Sequence, residues 1–315
     1  MFRARDGGLL SGEELAGALC VSRTAVWKHV KNLRSKGYRI ESVPSRGYRL
    51  LSFPDVLCEA ELSSGLRPKR IGRRIICVEE TDSTNQLAFR AAEEGAEDGT
   101  VVLADLQTGG KGRLGRRWES PPGVNLYCSV ILRPPILPLN APQLTFLSAV
   151  AVARAIEEST SLSPRIKWPN DILINGRKVA GLLNEMSAET DTIHWLVLGI
   201  GVNINMSREQ FPDDLRHPAT SLLLETDSPV SRVTFTRSLI SLLDVLYDVF
   251  LGNGFDPIRE EWLARSTIQG KKVRVATGEI DMEGTVTGID PDGALILCLR
   301  DGVLHRVLAG DVTIM

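Results

Sequence analysis

Gly110-Lys111-Gly112-Arg113-Leu114-Gly115-Arg116-Arg117-Trp118 packs three glycines, four cations and a tryptophan into nine residues. Glycine lets a backbone approach a ligand closely and take up positive φ. Consecutive backbone N–H groups among cations suit a phosphate or a carboxylate, and Trp118 beside them offers a flat face to a purine. A basic surface turn explains the same composition, so this loop alone leaves both readings open. Lys167-Trp168-Pro169-Asn170-Asp171, followed by Ile172-Leu173-Ile174, shifts the balance. Trp and Pro beside an Asn-Asp pair, ahead of an apolar run, do not read as solvated loop. Together the two segments point to a nucleotide-activating site.

Around them, residues 67–265 alternate strand and helix patterns. Segments 75–78, 101–104, 126–132, 172–174 and 195–199 are strand-like. The stretch 125–129 lacks clean alternation, as a strand covered on both faces would. Residues 143–158 read as a buried helix. Phe235, Leu239, Leu242, Leu243, Leu246 and Phe250 recur at the helical period and predict a second long one. This is an α/β block with its charged loops at strand ends. Residues 268–315 differ in texture. Short strands at 273–275, 282–289, 294–299 and 304–308 are separated by turns at Gly278, Asp290-Pro291-Asp292-Gly293 and Asp301-Gly302. That spacing predicts a small SH3-like barrel whose default role is structural or partner-docking.

The amino-terminal end carries a third pattern. Ser11 caps a short helix with Leu15 and Leu19 on one face, and Ser22 caps a second with Val26, Val30 and Leu33 inward. The outward face of the second helix holds Arg23, Thr24, Lys28, Lys31 and Arg34, and Gly37 ends it. Strands at 38–43 and 47–51 flank a Pro44-Ser45-Arg46-Gly47 turn. Residues 1–55 therefore read as a winged helix-turn-helix, with Ser22, Arg23, Thr24, Lys28 and Lys31 facing DNA and Arg46 in the wing. A plain packing module uses the same motif. Such heads normally open with another helix. Arg3, Arg5, Asp6, Gly7 and Gly8 make a poor one, so a first helix is expected to be short or missing.

Charge divides along the same line. Residues 1–52 hold 10 Lys/Arg and 4 Asp/Glu, a net +6, so with −2 overall the remainder carries −8. A basic head on an acidic body excludes a wholesale polyanion binder and assigns nucleic acid to the head. The five cysteines are scattered without a CxxC pair, and the four histidines show no metal spacing. With neither a secretory h-region nor an apolar run of membrane length, the expectation is a cytoplasmic protein that meets no membrane.

Taken with Asp82-Ser83-Thr84-Asn85 and Gly199-Ile200-Gly201-Val202-Asn203-Ile204-Asn205, these motifs resemble the bacterial bifunctional biotin protein ligase and biotin operon repressor family. The resemblance covers nearly the whole chain. It implies an α+β multidomain protein with a winged head, a biotin/lipoate ligase core at 67–265 and an SH3-like barrel at 268–315. It also implies ATP-dependent formation of biotinyl-5′-adenylate, then transfer of biotin to a lysine of the biotin carboxyl carrier protein of acetyl-CoA carboxylase. The adenylate would act as corepressor, favouring a homodimer on operator DNA. Neither chemical step needs an enzyme nucleophile; both need positioning and charge neutralisation.

By this resemblance, Ser83, Thr84, Asn85 and Gln107 meet biotin's ureido head, a place for neutral donors and acceptors. By itself the Ser-Thr-Asn run reads as a turn or helix cap. Lys111, Gly112 and Arg113 align with the carboxylate- and phosphate-binding loop, and Gly181 belongs to the biotin site. Lys111 stands where relatives often carry Arg and lacks the bidentate fork, which ranks Arg113 above it. Trp118 stacks on adenine or is a half-buried core indole. Arg116 and Arg117 reach the triphosphate or are solvated. Asn170 and Asp171 match positions that meet the nucleotide, with Asp171 toward Mg²⁺; an Asx turn also explains Asp171. Asn203 contacts the nucleotide. Gly176-Arg177-Lys178-Val179-Ala180-Gly181 resembles a turn presenting Lys178 to the reaction centre, where its ammonium and Arg113 would stabilise developing charge. A lipoate or octanoate ligase, or a DNA-binding regulator that only senses a ligand, are the competing readings.

Overall fold

The structure, a computed structural model, describes residues 8–35, 37–215, 218–277 and 281–315. The expectations for Arg3, Arg5, Asp6, Gly7 and Gly278 fall outside them. The chain divides into two compact units, Met1–Val56 and Leu57–Met315.

In the first unit, α1 (Gly12–Leu19) starts at Ser11, whose hydroxyl accepts from the Glu14 N–H while the Glu14 carboxylate accepts from the Ser11 N–H. This reciprocal cap satisfies two otherwise orphaned donors. Helix α2 (Arg23–Ser35) follows, with the Ser22 hydroxyl accepting from the Ala25 N–H. An antiparallel hairpin, β1 (Arg39–Val43) and β2 (Gly47–Ser52), forms the wing. Leu10, Leu15, Val26, Val30, Ile40 and Leu50 close a small core. Leu10 pairs with Tyr48 through two backbone bonds of 2.9 Å. Gly47 sits beside this pairing at φ 114°, where a Cβ would stand 2.1 Å from the Leu10 carbonyl oxygen. Arg34 is exposed on the outward face of α2, as expected, and also reaches the wing. Its guanidinium donates to the Ile40 carbonyl and the Ser42 hydroxyl, tying helix to wing. Arg23, Thr24, Lys28 and Lys31 remain exposed, with Trp27 beside them.

The second unit is built on a seven-stranded sheet ordered β3-β4-β5-β9-β8-β7-β6. Its strands are β3 (Ile75–Thr81), β4 (Val101–Gln107), β5 (Leu126–Leu132), β6 (Arg165–Lys167), β7 (Asp171–Ile174), β8 (Arg177–Ala188) and β9 (Ile193–Val202). Only β3 and β4 pair in parallel; the other neighbours are antiparallel. Strand β5 is buried along its whole length, which explains its lack of alternation. Between β3 and β4 runs α4 (Thr84–Glu93), whose Ala88 and Ala92 pack on Val102, Ile131 and Val197.

The opposite face carries the main core. Helix α5 (Gln143–Ser159) is apolar nearly all round because it lies between the sheet and α7 (Arg232–Asn253). Short helices α3 (Glu59–Ser63) and α6 (Leu222–Thr226) and the longer α8 (Asp256–Arg265) complete the layer. Trp262 of α8 is fully buried against Phe146. The carboxyl-terminal strands β10 (Lys272–Ala276), β11 (Asp281–Ile289), β12 (Leu295–Cys298), β13 (Leu304–Val307) and β14 (Asp311–Ile314) form one five-stranded sheet ordered β13-β12-β11-β10-β14. Among the described residues, no helix is long and apolar enough to cross a membrane.

Asp244 interrupts the apolar run of α7 for a structural reason. Its carboxylate accepts from the backbone N–H groups of Lys69, Arg70 and Ile71 at 2.7–2.8 Å. Asp244→Ala orphans all three donors at once, and we expect a loss of about 3 kcal/mol of unfolding free energy. Asp244→Asn, which keeps one acceptor oxygen, should lose less. Urea unfolding followed by far-UV circular dichroism measures both, and equal stability of Ala variant and parent would refute the role.

Candidate functional site

A cavity of about 750 Å³ opens where the start of α4, the 110–118 loop, the β6–β7 turn, β8, β9 and β14 converge. Every core residue singled out above lines it: Ser83, Thr84, Asn85, Gln107, Lys111, Gly112, Arg113, Arg116, Arg117, Trp118, Asn170, Asp171, Lys178, Gly181 and Asn203.

Glycines make its bed. Gly199 and Gly201 lie two apart on β9 and so share a face, and Gly181 of β8 pairs directly with Gly201. A Cβ on Gly201 would stand 2.7 Å from the Trp118 indole, and one on Gly181 3.0 Å from it. A Cβ on Gly199 would stand 2.4 Å from Asn85 Oδ1. Trp118 is half-buried on this surface, and its indole Nε1 is buried without a partner.

One wall is neutral. Ser83, Thr84 and Asn85 open α4 and are each at most 5 % exposed. The Gln107 side-chain oxygen accepts from the Thr84 backbone N–H at 2.9 Å, and Gln107 Nε2 donates to the Ser120 hydroxyl at 2.9 Å. Ser129 of β5 lies 2.7 Å from Asn85 Oδ1 and 2.8 Å from the Thr84 hydroxyl. No charged group of this segment faces the cavity from α4, so the wall suits an uncharged polar ligand.

The opposite side is cationic. The 110–118 loop folds as a miniature hairpin in which Lys111 pairs with Arg117, and the Gly112 N–H donates to the Arg116 carbonyl at 2.7 Å. Arg113 reaches Asn170 Oδ1 and the Gly310 carbonyl, each at 3.4 Å. Burial pulls its guanidinium below the ordinary arginine value, against the pull of Asp311 and Asp171. Arg116 pairs with Asp311 of β14. Arg117 pairs with Glu119 at 2.9 Å and stays largely exposed. Lys178 Nζ sits 2.6 Å from Asp171 Oδ1 and 5.3 Å from the Trp118 ring centre.

Three details depart from the sequence reading. The turn around Lys178 is confined to Asn175 and Gly176; Lys178 itself is on β8, where its N–H donates to the Pro218 carbonyl at 2.8 Å and its carbonyl accepts from Thr220 at 2.9 Å. Asp171 lies in β7, paired with Gly181, and not in an Asx turn. Asn203 is buried and already engaged: Nδ2 donates to the Thr220 carbonyl at 3.1 Å, and Oδ1 faces Asn125 Nδ2 at 3.5 Å. Asp311, Ser120, Ser129 and the Gly199/Gly201 pair went unassigned. A signal existed for the glycines alone, whose i, i+2 spacing marks one strand face.

Residues 77–203 match the model of the biotin/lipoate A/B protein ligase family, 1–49 that of an HTH domain and 269–315 that of the biotin protein ligase C terminal domain. The chain is similar to the bifunctional ligase/repressor BirA of Bacillus subtilis (strain 168), at 38% identity over 99% of this chain and 96% of the relative. It is also similar to the BirA of Escherichia coli (strain K12), at 30% identity over 98% and 94%. Among solved structures, the biotin protein ligase from Aquifex aeolicus in complex with biotin and ATP aligns with a TM-score of 0.67 and 29% identity. That alignment covers 77% of this chain and 99% of the Aquifex chain. With a ligase cavity built from its own loop, glycine bed and lysine, and relatives matched from end to end, the chain belongs to the family of bifunctional biotin ligase/repressors.

Proposed function

We propose that this protein is an ATP-dependent biotin protein ligase that also represses transcription, with biotinyl-5′-adenylate as both intermediate and corepressor. The observation that carries the reading is one cavity holding a neutral hydrogen-bonding wall, a glycine bed beneath Trp118, and the Lys178 and Arg113 cations. The neutral wall of Ser83, Thr84, Asn85 and Gln107 takes the ureido head of biotin. Lys111, Gly112 and Arg113 hold its carboxylate and the adjoining phosphates, and Gly181 lets the ligand lie close to β8. Trp118 carries the adenine face, while Arg116 and Arg117 meet the outer phosphates. Asn203 supports the nucleotide side through its backbone position, since its amide is committed internally.

A biotin carboxylate oxygen attacks the α-phosphorus of ATP, the P–O bond to pyrophosphate breaks, and a mixed anhydride forms. Lys178 neutralises the carboxylate before attack and the charge on the phosphoryl oxygens during it. Held by Asp171 on a strand, its ammonium needs little reorganisation. In the second step, the amine of a carrier-protein lysine attacks the anhydride carbonyl and AMP leaves with the electron pair. The new bond is an amide, and the amine gives up its proton. For Mg²⁺, Asp171 and Asn170 are the nearby donors. Bound there, the ion supplies charge shielding for departing pyrophosphate.

Residues 1–55 serve as the DNA-reading head, 67–265 as the catalytic domain and 268–315 as the barrel. Ser22, Arg23, Thr24, Lys28 and Lys31 face the major groove, and Arg46 touches phosphate from the wing. A homodimer on a two-fold operator and a cytoplasmic location belong to the same reading, because operator DNA and the carrier protein are met there.

Pyrophosphate release from ATP, with biotin or lipoate as the sole acid and no carrier protein, tests the catalytic half. Biotin-dependent release with adenylate retained is the expected result. Release with lipoate alone would move the chain to a lipoate ligase, and silence with both would leave a ligand-sensing regulator. Gly199→Ala should raise the biotin KM by about one to two orders of magnitude, since its Cβ overpacks against Asn85 and the Leu183 carbonyl. An unchanged KM for biotin in that variant would separate the neutral wall from substrate binding.

A further inference from the structure

The hydrogen bonds behind the neutral wall form one continuous file that starts on Glu185, a carboxylate with no role in the reading so far. Glu185 lies half-buried on β8, opposite Val197, on the sheet face covered by α4. Its Oε2 accepts from Asn85 Nδ2 at 2.7 Å, and the Leu183 carbonyl accepts from the same nitrogen at 3.2 Å. Both amide hydrogens are thereby engaged. A carboxylate and a carbonyl only accept, so the Asn85 nitrogen must face β8 and its oxygen must face Ser129. The Ser129 hydroxyl, 2.7 Å away, then donates to Asn85 Oδ1 and has a lone pair left for the Thr84 hydroxyl at 2.8 Å.

Thr84 meets Gln107 through its backbone N–H at 2.9 Å, with its hydroxyl 3.2 Å from the same Gln107 oxygen. The Gln107 oxygen is therefore turned to α4 and its Nε2 to Ser120. Ser120 in turn donates to the Trp118 carbonyl at 3.0 Å, at the base of the 110–118 loop. The Asn85 end of the file is oriented from β8, by Glu185 at 2.7 Å together with the Leu183 carbonyl at 3.2 Å, and the Gln107 end by the Thr84 backbone N–H.

We propose that Glu185 is a positioning residue that, with the Leu183 carbonyl, holds the Asn85 amide oxygen toward the site recognising the ligand's ureido head. The proposal rests on the biotin reading above and deepens it. A cyclic urea presents two N–H donors flanking one acceptor oxygen. Asn85 Oδ1, with one lone pair on Ser129, offers its second to a ureido N–H. Were the Asn85 amide reversed, donor would meet donor and the head would be rejected.

The test is steady-state pyrophosphate release by the full-length chain carrying Glu185→Leu, Glu185→Gln or Glu185→Lys. Leucine removes the shorter of the two Asn85 anchors and should raise the biotin KM about tenfold, with kcat and the ATP KM unmoved. Glutamine still offers an accepting oxygen and should recover to within about threefold of the parent. Lysine offers only donors, reverses the amide and should raise the biotin KM beyond the leucine variant. Because Glu185 acts through Asn85, Glu185→Leu should add nothing to Asn85→Ala. An unchanged biotin KM in the leucine and lysine variants, or full additivity with Asn85→Ala, overturns the assignment of Glu185. Absence of biotin-dependent release from the parent protein overturns instead the biotin reading beneath it.

Discussion

Lys178→Ala is expected to slow biotin-dependent pyrophosphate release by about a hundred- to a thousandfold, the usual cost of removing one preorganised charge-stabilising donor. The backbone around it should survive. Lys178 is held on β8 by main-chain bonds to Pro218 and Thr220, which alanine keeps. The substitution also leaves the Asp171 carboxylate without the ammonium 2.6 Å away, so an anionic site gains an unneutralised charge. Two effects therefore add: lost stabilisation of the transition state and repulsion of the incoming anions. The double variant Asp171→Asn/Lys178→Ala separates them, because relative to Lys178→Ala it removes the unneutralised charge and keeps an oxygen donor at 171 for Mg²⁺. We expect it to recover part of ATP binding and little of kcat. Lys178→Arg keeps the charge but replaces a compact ammonium with a planar fork and should remain well below the parent. Rapid-quench measurement of adenylate formation is the decisive assay, since it isolates the first step from carrier-protein transfer. Adenylate formation by Lys178→Ala within about threefold of the parent would be too small a change for the donor proposed here.

Much of this site was legible because its chemistry is local in sequence. The 110–118 loop declares itself by composition, and 167–171 by the apolar strand that follows. Residues 125–129 declare a strand covered on both faces by lacking clean alternation, and the structure buries every one of them. Where the reading failed, the cause was long-range. Ser83 stands at the N-cap position of Thr84–Glu93, in keeping with the helix-cap reading of Ser-Thr-Asn, but that the helix brings Thr84 and Asn85 against Ser129 and Glu185 rests on contacts far apart in sequence. Strand β8 was read as a turn at its start because Gly176 and Gly181 bracket it. Gly181 is there to pass beneath Trp118, not to bend the chain. Arg34 lies on the outward face of its helix as read, but its tie to the wing through Ile40 and Ser42 left no local signal. Glu185 and Asp311 join the site from 100 and 195 residues away from their partners, a distance no local pattern spans.

Arg34 also sets the size of the second large effect. Deleting residues 1–56 is expected to abolish operator binding and leave a folded protein that still releases pyrophosphate from ATP and biotin. The head closes its own core with Leu10, Leu15, Val26, Val30, Ile40 and Leu50, and the clusters of the larger unit use no described residue before Leu57. Charge argues the same way, since the net +6 of residues 1–52 leaves with the head and the acidic remainder repels DNA. With Arg34 committed to the wing, Arg23, Lys28, Lys31 and Arg46 are the described cations assigned here to phosphate. Arg23 must first exchange its exposed pair with Glu13, which costs little in water. Four contacts give a log K against log salt slope of about −3 to −4 per head. Lys28→Ala/Lys31→Ala should flatten that slope by about 2 per head, whereas Arg34→Ala should instead loosen the wing and lower the head's own stability. Fluorescence anisotropy on labelled operator across a salt series reads all three, and a truncated chain that still binds with the parent's slope would take DNA recognition out of the head altogether.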